Sequence, residues 1–228
     1  MSDGPLLPRE RVEIAPGAVH VPDWLTVDEQ RRLVAACREW AAGPAPMRRT
    51  RLPNGGLMSV QTVCLGWHWI PYRYSRIAED VDGQPVTPFP DWLGDLGRRA
   101  LADAYDARAA RDYRPDAALV NFYDGQARMG MHRDEDERSD APVVSLSIGA
   151  SCIFRFGNRE TRGRPYTDVE LRSGDLFVFG GPSRFCFHGV PRTLADDDRQ
   201  PALGQGDPPH GLRGGRLNLT LRVTGLDG

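Results

Sequence analysis

The stretch Arg216-Leu217-Asn218-Leu219-Thr220-Leu221-Arg222-Val223 decides how this chain is read. Successive side chains of a strand point to opposite faces, so Leu217, Leu219, Leu221 and Val223 share one face while Arg216, Asn218, Thr220 and Arg222 share the other. One face packs and the other is wholly polar. An ordinary surface strand shows the same alternation. Two guanidinium forks with an amide between them also suit a dicarboxylate, because Arg pairs bidentately with carboxylates and keeps its charge when buried. The pocket reading gains if a metal site lies nearby.

His132-Arg133-Asp134 supplies such a site once His188 joins it. Two imidazoles and one carboxylate on three corners of a metal leave three positions open, which is the ligand set of non-haem Fe(II) oxygenases. The tripeptide alone weighs little: in a chain with five His it arises by chance about 0.5 times. The third His and the Arg-bearing strand change the balance. His132 and Asp134 stand at i and i+2, on one side of an extended segment, and His188 is expected from a distant strand.

Around these motifs the chain alternates short β-rich runs with turn residues, at 117–123, 143–149, 152–156, 168–171, 176–179, 185–188 and 217–223. Strands this numerous and short suit a jelly roll, a double-stranded β-helix in an α+β, mainly β chain. Thr26-Val27-Asp28-Glu29 is a capping box, and the apolar spacing of Leu33, Val34, Cys37 and Trp40 predicts a helix through Ala42, stopped at Gly43-Pro44. A second helix is predicted from Asp91 to about Arg108 on the spacing of Trp92, Leu93, Leu96, Ala100, Leu101 and Tyr105. Both are expected against the outer face of a sheet. A single domain over residues 1–228 follows, with an N-terminal extension carrying the helices and a lid to about 110 and the catalytic core from about 111. Residues 195–215, rich in Gly, Pro and Asp, read as a mobile loop that holds a solvated His210. His20 follows a β-like run with no partner in view.

Several segments, in order, resemble the AlkB family of Fe(II)/2-oxoglutarate dioxygenases: Asn121-Phe122-Tyr123, His132-Arg133-Asp134-Glu135-Asp136-Glu137, Ser145-Leu146-Ser147-Ile148-Gly149, Phe154-Arg155-Phe156-Gly157, Ser173-Gly174-Asp175, Ser183-Arg184, His188-Gly189 and the R-x-N-L-T-x-R strand. The match runs from about residue 57 to 223, and the last pattern separates AlkB-like chains from most other 2-oxoglutarate oxygenases. The resemblance implies Fe(II) on His132, Asp134 and His188, with 2-oxoglutarate and O2 as co-substrates. It places Arg216 and Tyr123 on the distal carboxylate of 2-oxoglutarate, Arg222 at its inner end, and Asn121 and Asn218 on the remaining hydrogen bonds. The interval from His188 to Arg216 is longer than is usual in that family.

The implied reaction is oxidative demethylation of bases of the 1-methyladenine and 3-methylcytosine type in DNA, with formaldehyde released. Such a base must leave the stack for an aromatic wall and a polar end. The family positions fall on Trp67 for stacking, Asp136 for the exocyclic amine, and Tyr72 and Tyr74 for the lid, which is expected over residues 47–74 with a turn at Asn54-Gly55-Gly56. A core aromatic is an equal reading of Trp67. The charge run 135–140 would ordinarily be solvated, which weighs against Asp136.

Net charge is −2, so no global field points to nucleic acid, and binding must rest on local patches. Every basic residue is Arg; Arg48, Arg49 and Arg51 cluster, as do Arg155, Arg159, Arg162 and Arg164, and these are candidate phosphate contacts, with Arg162 counted among the substrate residues. Cys37, Cys64, Cys152 and Cys186 lack metal-ligand spacing and read as buried thiols. The N-terminus has no apolar run suited to a signal peptide and no apolar stretch spans a membrane, so a cytoplasmic monomer acting on methylated single-stranded DNA is expected. The alternatives are a related oxygenase acting on RNA, protein or a small molecule, and a non-catalytic nucleic-acid-binding module, which the intact triad and Arg pair argue against.

Overall fold

Residues 9–194 and 208–226 are described by a computed structural model, and most of the expected 195–215 loop lies outside the described residues. Strands β1 (Val12–Ala15) and β2 (Ala18–Val21) precede helix α1 (Val27–Ala42), followed by β3 (Arg48–Arg51), β4 (Leu57–Leu65), β5 (His68–Ile70) and β6 (Arg73–Ser75). Helices α2 (Asp91–Ala104) and α3 (Ala107–Arg111) lead into β7 (Ala117–Tyr123), β8 (Met129–His132), β9 (Val143–Gly149), β10 (Cys152–Phe156), β11 (Thr167–Leu171), β12 (Leu176–Phe179), β13 (His188–Thr193) and β14 (Arg216–Arg222).

Two sheets form a jelly-roll core. The larger runs β1-β2-β12-β9-β14-β7-β4-β3, the smaller β11-β10-β13-β8, and β5-β6 make a separate hairpin. The stretch before residue 110, expected as an extension, supplies four strands of the larger sheet. The Arg-bearing strand β14 sits between β7 and β9 and is buried on both faces. Its Leu217, Leu219 and Leu221 pack in one cluster with Val144, Leu146, Ile148 and Val178 of the sheet and Leu33, Val34, Leu93 and Leu101 of α1 and α2. Its polar face points the other way, into a cavity between the sheets. Next to that cavity the second core cluster, with Phe154, Phe156, Phe177 and Phe179, joins the two sheets.

Helix α1 begins where the capping box places it, with both of its hydrogen bonds present. The second helix is shorter than its apolar spacing predicts. It stops at Tyr105, and Asp106 restarts the chain as α3 by accepting from the Ala109 N–H. The Tyr105 hydroxyl meanwhile donates to the Gly17 carbonyl and pulls the chain toward the β1–β2 turn. The strand expected at 185–188 begins only at His188: residues up to Arg184 form a short 3-10 turn, and the Cys186 N–H donates to the Ser183 carbonyl. His20, read without a partner in view, finds one in the buried carboxylate of Asp175 at 2.9 Å.

Candidate active site

Sheet register brings the metal candidates together. His188 on β13 lies directly opposite His132 on β8, so the strand expected to be distant is the immediate neighbour. The two backbones approach closely because Gly189 leaves room: a Cβ there would meet the carbonyls of Met129 and Gly130 at 2.8 Å. Asp134 follows two residues after His132, and one ligand atom from each of the three lies within 4.8 Å of the others.

Hydrogen bonding orients this set. The Nδ1 atoms of His132 and His188 lie 2.9 and 3.0 Å from the carbonyls of Gly130 and Cys186, and a carbonyl can only accept, so both Nδ1 carry the proton. Both Nε2 lone pairs are thereby left toward Asp134, at 3.7 and 3.6 Å from its oxygens, too far for hydrogen bonds and spaced as atoms around a common centre. Asp134 Oδ2 is buried without a hydrogen-bond partner among the described residues. An orphaned carboxylate oxygen between two aimed imidazoles fits a divalent metal, whose ligands are characteristically steered by such outer hydrogen bonds. Burial pushes the His188 imidazole down to about 4, with His132 acting the same way, so it stays neutral as a ligand must. Burial alone would raise the Asp134 carboxyl, but the positive charge beside it, Arg222 foremost, outweighs this and holds it well below the usual carboxylate range.

The co-substrate candidates line the same cavity from the larger sheet. Tyr123, Asn121, Asn218 and Arg216 fall on its floor because β7 and β14 pair Arg216 with Tyr123 and Asn218 with Asn121. Arg216 donates to Ser147 Oγ at 2.9 Å, while its Nε and one terminal nitrogen are buried without partners. Unpartnered guanidinium donors on the cavity floor fit an acidic group of a ligand. Asn218 donates to Ser145 Oγ, and Asn121 accepts from Thr62. Ser145 and Ser147 alternate with Val144, Leu146 and Ile148 along β9, a signal that could have placed them on this face.

Arg222, expected at the co-substrate's inner end, lines the same cavity beside the metal candidates. Its guanidinium is already committed to Asp134 at 2.9 Å, Glu137 at 2.8 Å and the Tyr74 hydroxyl at 3.3 Å, which leaves its buried Nε without a partner. Arg184, fully buried, completes this network through Glu137 at 3.1 Å and the carbonyls of Asp134 and Ala141. The charge run 135–140, expected to be solvated, sends Glu137 inward, matched by two Arg from 47 and 85 residues away. Spacing alone carries no signal for such partners.

The substrate candidates are only partly gathered. The cavity, about 710 Å³, is lined by Tyr72, Asp136 and Arg162 but not by Trp67 or Tyr74. Gly66, at φ 74, bends the chain and breaks the strand alternation, so Trp67 turns away to donate to Asp116 with Arg76 lying over its ring. Trp69 takes the wall position instead and donates its indole N–H to Asp136 at 2.8 Å. Burial raises the Asp136 carboxyl, against the pull of that N–H. Tyr74 is turned to Glu137 and Arg222 behind the wall. Of the first Arg cluster, Arg48 points inward to Asp80, Arg49 pairs with Asp124 and donates to the Ser59 carbonyl, and Arg51 reaches the Gly55 carbonyl. In the second cluster Arg155 pairs with Asp168 and Arg162 lies over Phe187 at the cavity edge, where Arg133 of the His132-Arg133-Asp134 segment joins it.

Comparison with known proteins follows the same lines. The family model of the 2OG-Fe(II) oxygenase superfamily matches residues 17–222. The AlkB homolog of Caulobacter vibrioides, an alpha-ketoglutarate-dependent dioxygenase, is 37% identical over 217 residues, covering 92% of this chain and 88% of that protein. The DNA N(6)-methyladenine demethylase ALKBH1D of Arabidopsis thaliana is 34% identical over 94% of this chain. The chain spans about half the length of that protein and of ALKBH1C, 52% and 49%. The solved structure of OsALKBH1 superposes with a TM-score of 0.78 at 30% identity, covering 93% of this chain and 99% of the other. A metal triad on paired strands, an Arg-floored cavity and these matches lead to one conclusion: the chain belongs to the 2OG-Fe(II) oxygenase superfamily, whose metal is Fe(II) and co-substrate 2-oxoglutarate, and within it to the AlkB family.

Proposed function

We propose that this chain removes N-methyl groups from bases of DNA by oxidation, consuming 2-oxoglutarate and O2 and releasing succinate, CO2 and formaldehyde. One observation carries the reading. The orphaned Asp134 oxygen with its two imidazoles, the unpartnered donors of Arg216 and the Trp69–Asp136 pair all face a single cavity of a size that holds a co-substrate and a base together. The names of the Arabidopsis and Caulobacter relatives support it.

When bound, Fe(II) supplies the oxidation, coupling decarboxylation of 2-oxoglutarate to hydroxylation of the methyl carbon; the resulting N-hydroxymethyl group then leaves as formaldehyde. The chain's own work is orientation and shielding. His132, Asp134 and His188 hold the metal. The Arg216 guanidinium, steadied by Ser147, receives one carboxylate of the co-substrate, with Tyr123 beside it. Arg222 neutralises Asp134 and keeps its oxygens aimed at the metal. On the substrate side, Trp69 offers a ring for stacking and Asp136 an oxygen for an exocyclic amine, as a base drawn out of the helix requires. Residues from the β3–β4 and β5–β6 hairpins, Leu52, Leu57, Pro71 and Tyr72, rim the mouth and act as the lid. Arg162 and Arg133 at the same edge are placed to meet phosphates of a single strand.

The test is formaldehyde release from methylated oligonucleotides by the purified chain with Fe(II), 2-oxoglutarate and ascorbate. Strands bearing 1-methyladenine or 3-methylcytosine are the expected substrates. N6-methyladenine is the second reading, favoured by the names of the plant relatives. Parallel single-stranded, duplex and RNA arms rank the partners. No release from any of them above a metal-free control overturns the proposal.

A further inference from the structure

Behind the aromatic wall lies an ionic cluster that the chemistry above does not use. Arg48 on β3 donates to the Trp69 carbonyl at 2.7 Å and to the Thr62 carbonyl at 3.2 Å, bridging the end of β4 to the β5–β6 hairpin. Asp80 pairs with Arg48 at 3.1 Å and lies 2.5 Å from Nε2 of His68, a residue buried to 1% exposure directly beside Trp69. His68 Nδ1 is buried with no partner among the described residues, while Nε2 stands between Asp80 Oδ1 at 2.5 Å and the Arg48 guanidinium at 3.0 Å. Burial and the Arg48 charge lower the His68 imidazole, which keeps it neutral. Asp80 itself is held by a tight turn over Ala78, which is fully buried and whose carbonyl accepts from Val81 and Gly83. The neighbouring Glu79 grips the other strand of the same hairpin through Arg73 and Ser75.

Hairpins of three-residue strands do not hold themselves in water. This one carries the Trp69–Asp136 wall on the face opposite His68, and the Trp69 backbone is tied to the main sheet by Arg48 at its carbonyl and by Cys64 Sγ at its N–H. We propose that the Arg48–Asp80–His68 clamp is a positioning device for Trp69, setting how deep the indole stands in the cavity and hence how tightly, and which, bases are taken. The clamp stands on geometry alone; its effect on bases rests on the demethylase reading.

Labelling with 5-fluorotryptophan reads the clamp directly. The chain has five Trp, and the Trp69 signal is assigned by its loss in Trp69→Phe. Arg48→Met is expected to shift or broaden that signal and leave the other four in place, and Arg48→Lys, which keeps the charge but loses the fork, to restore it only in part. Asp80→Asn, close in shape, reads the same contact if Arg48→Met does not fold. In turnover, Arg48→Met and Asp80→Asn should each raise KM for the methylated strand about tenfold at unchanged kcat, while 2-oxoglutarate consumption without nucleic acid stays as in the parent. An unmoved Trp69 signal in Asp80→Asn and Arg48→Met overturns the clamp. If the parent chain demethylates nothing yet the signal responds, the clamp stands and the substrate reading falls.

Discussion

The floor of the cavity and its rim are made by different physics. The floor is central strand: β14 between β7 and β9, and β13 against β8, where ladder hydrogen bonds and apolar packing on the far face leave the polar side chains no freedom to choose a direction. Its unfinished business is chemical, in the unpartnered atoms of Asp134, Arg216 and Arg222. The rim is short hairpin, held by long charged side chains. Its unfinished business is conformational: Tyr72 follows Pro71 in the left-handed region at φ 71, where a turn of this kind prefers glycine, and it stands 78% exposed. An enzyme site of this design keeps the reaction fixed in the floor and leaves selection to the rim.

Four substitutions would break or sharpen that contrast. Asp134→Ala removes the carboxylate between the imidazoles and leaves Arg222 with Glu137 as its acidic partner; turnover of 2-oxoglutarate should fall by about a thousandfold or more, and full retention would remove Asp134 from the metal. Glu137→Ala leaves Arg184 and Arg222 as buried charges short of a partner, at a cost of about 3–5 kcal/mol in denaturant unfolding. A loss below about 1 kcal/mol would show that the floor is not electrostatically closed. Arg216→Ala should raise KM for 2-oxoglutarate by about tenfold or more with iron binding unchanged; an unaltered co-substrate titration would move the carboxylate site elsewhere. The smallest effect belongs to the rim. Tyr72→Gly should gain up to about 1 kcal/mol in stability by relieving the left-handed backbone, while weakening capture of a methylated strand; equal affinity with no gain in stability would mean that the rim stores no strain for function.

How much of this was legible follows the same division. The β14 alternation, the β9 run and the pairing of His132 with Asp134 at i and i+2 could be read directly, because a buried strand writes its two faces into the sequence with period two. The capping box of α1 was equally local. Of the two readings open for Trp67 the sequence could not choose, since a single positive φ at Gly66 undoes the alternation between one Trp and the next and brings Trp69 to the cavity. Glu137 and Arg184 were hidden inside a charge run and beside a turn, and their meeting is a matter of tertiary distance. The second helix looked continuous because apolar spacing does not register a restart at Asp106.

By itself, the order of residues determined the family's chemistry: which side chains could bind a metal, which a dicarboxylate, and on which face of a strand each must stand. Tertiary structure alone decided that β8 and β13 are neighbours, that Arg222 is already engaged with Asp134 and Glu137, and that Trp69 rather than Trp67 meets the cavity. The reason is that strand periodicity is enforced locally by the backbone. Partners drawn from opposite ends of the chain are chosen only when burial makes an unpaired charge or an unfilled hydrogen bond too costly to leave.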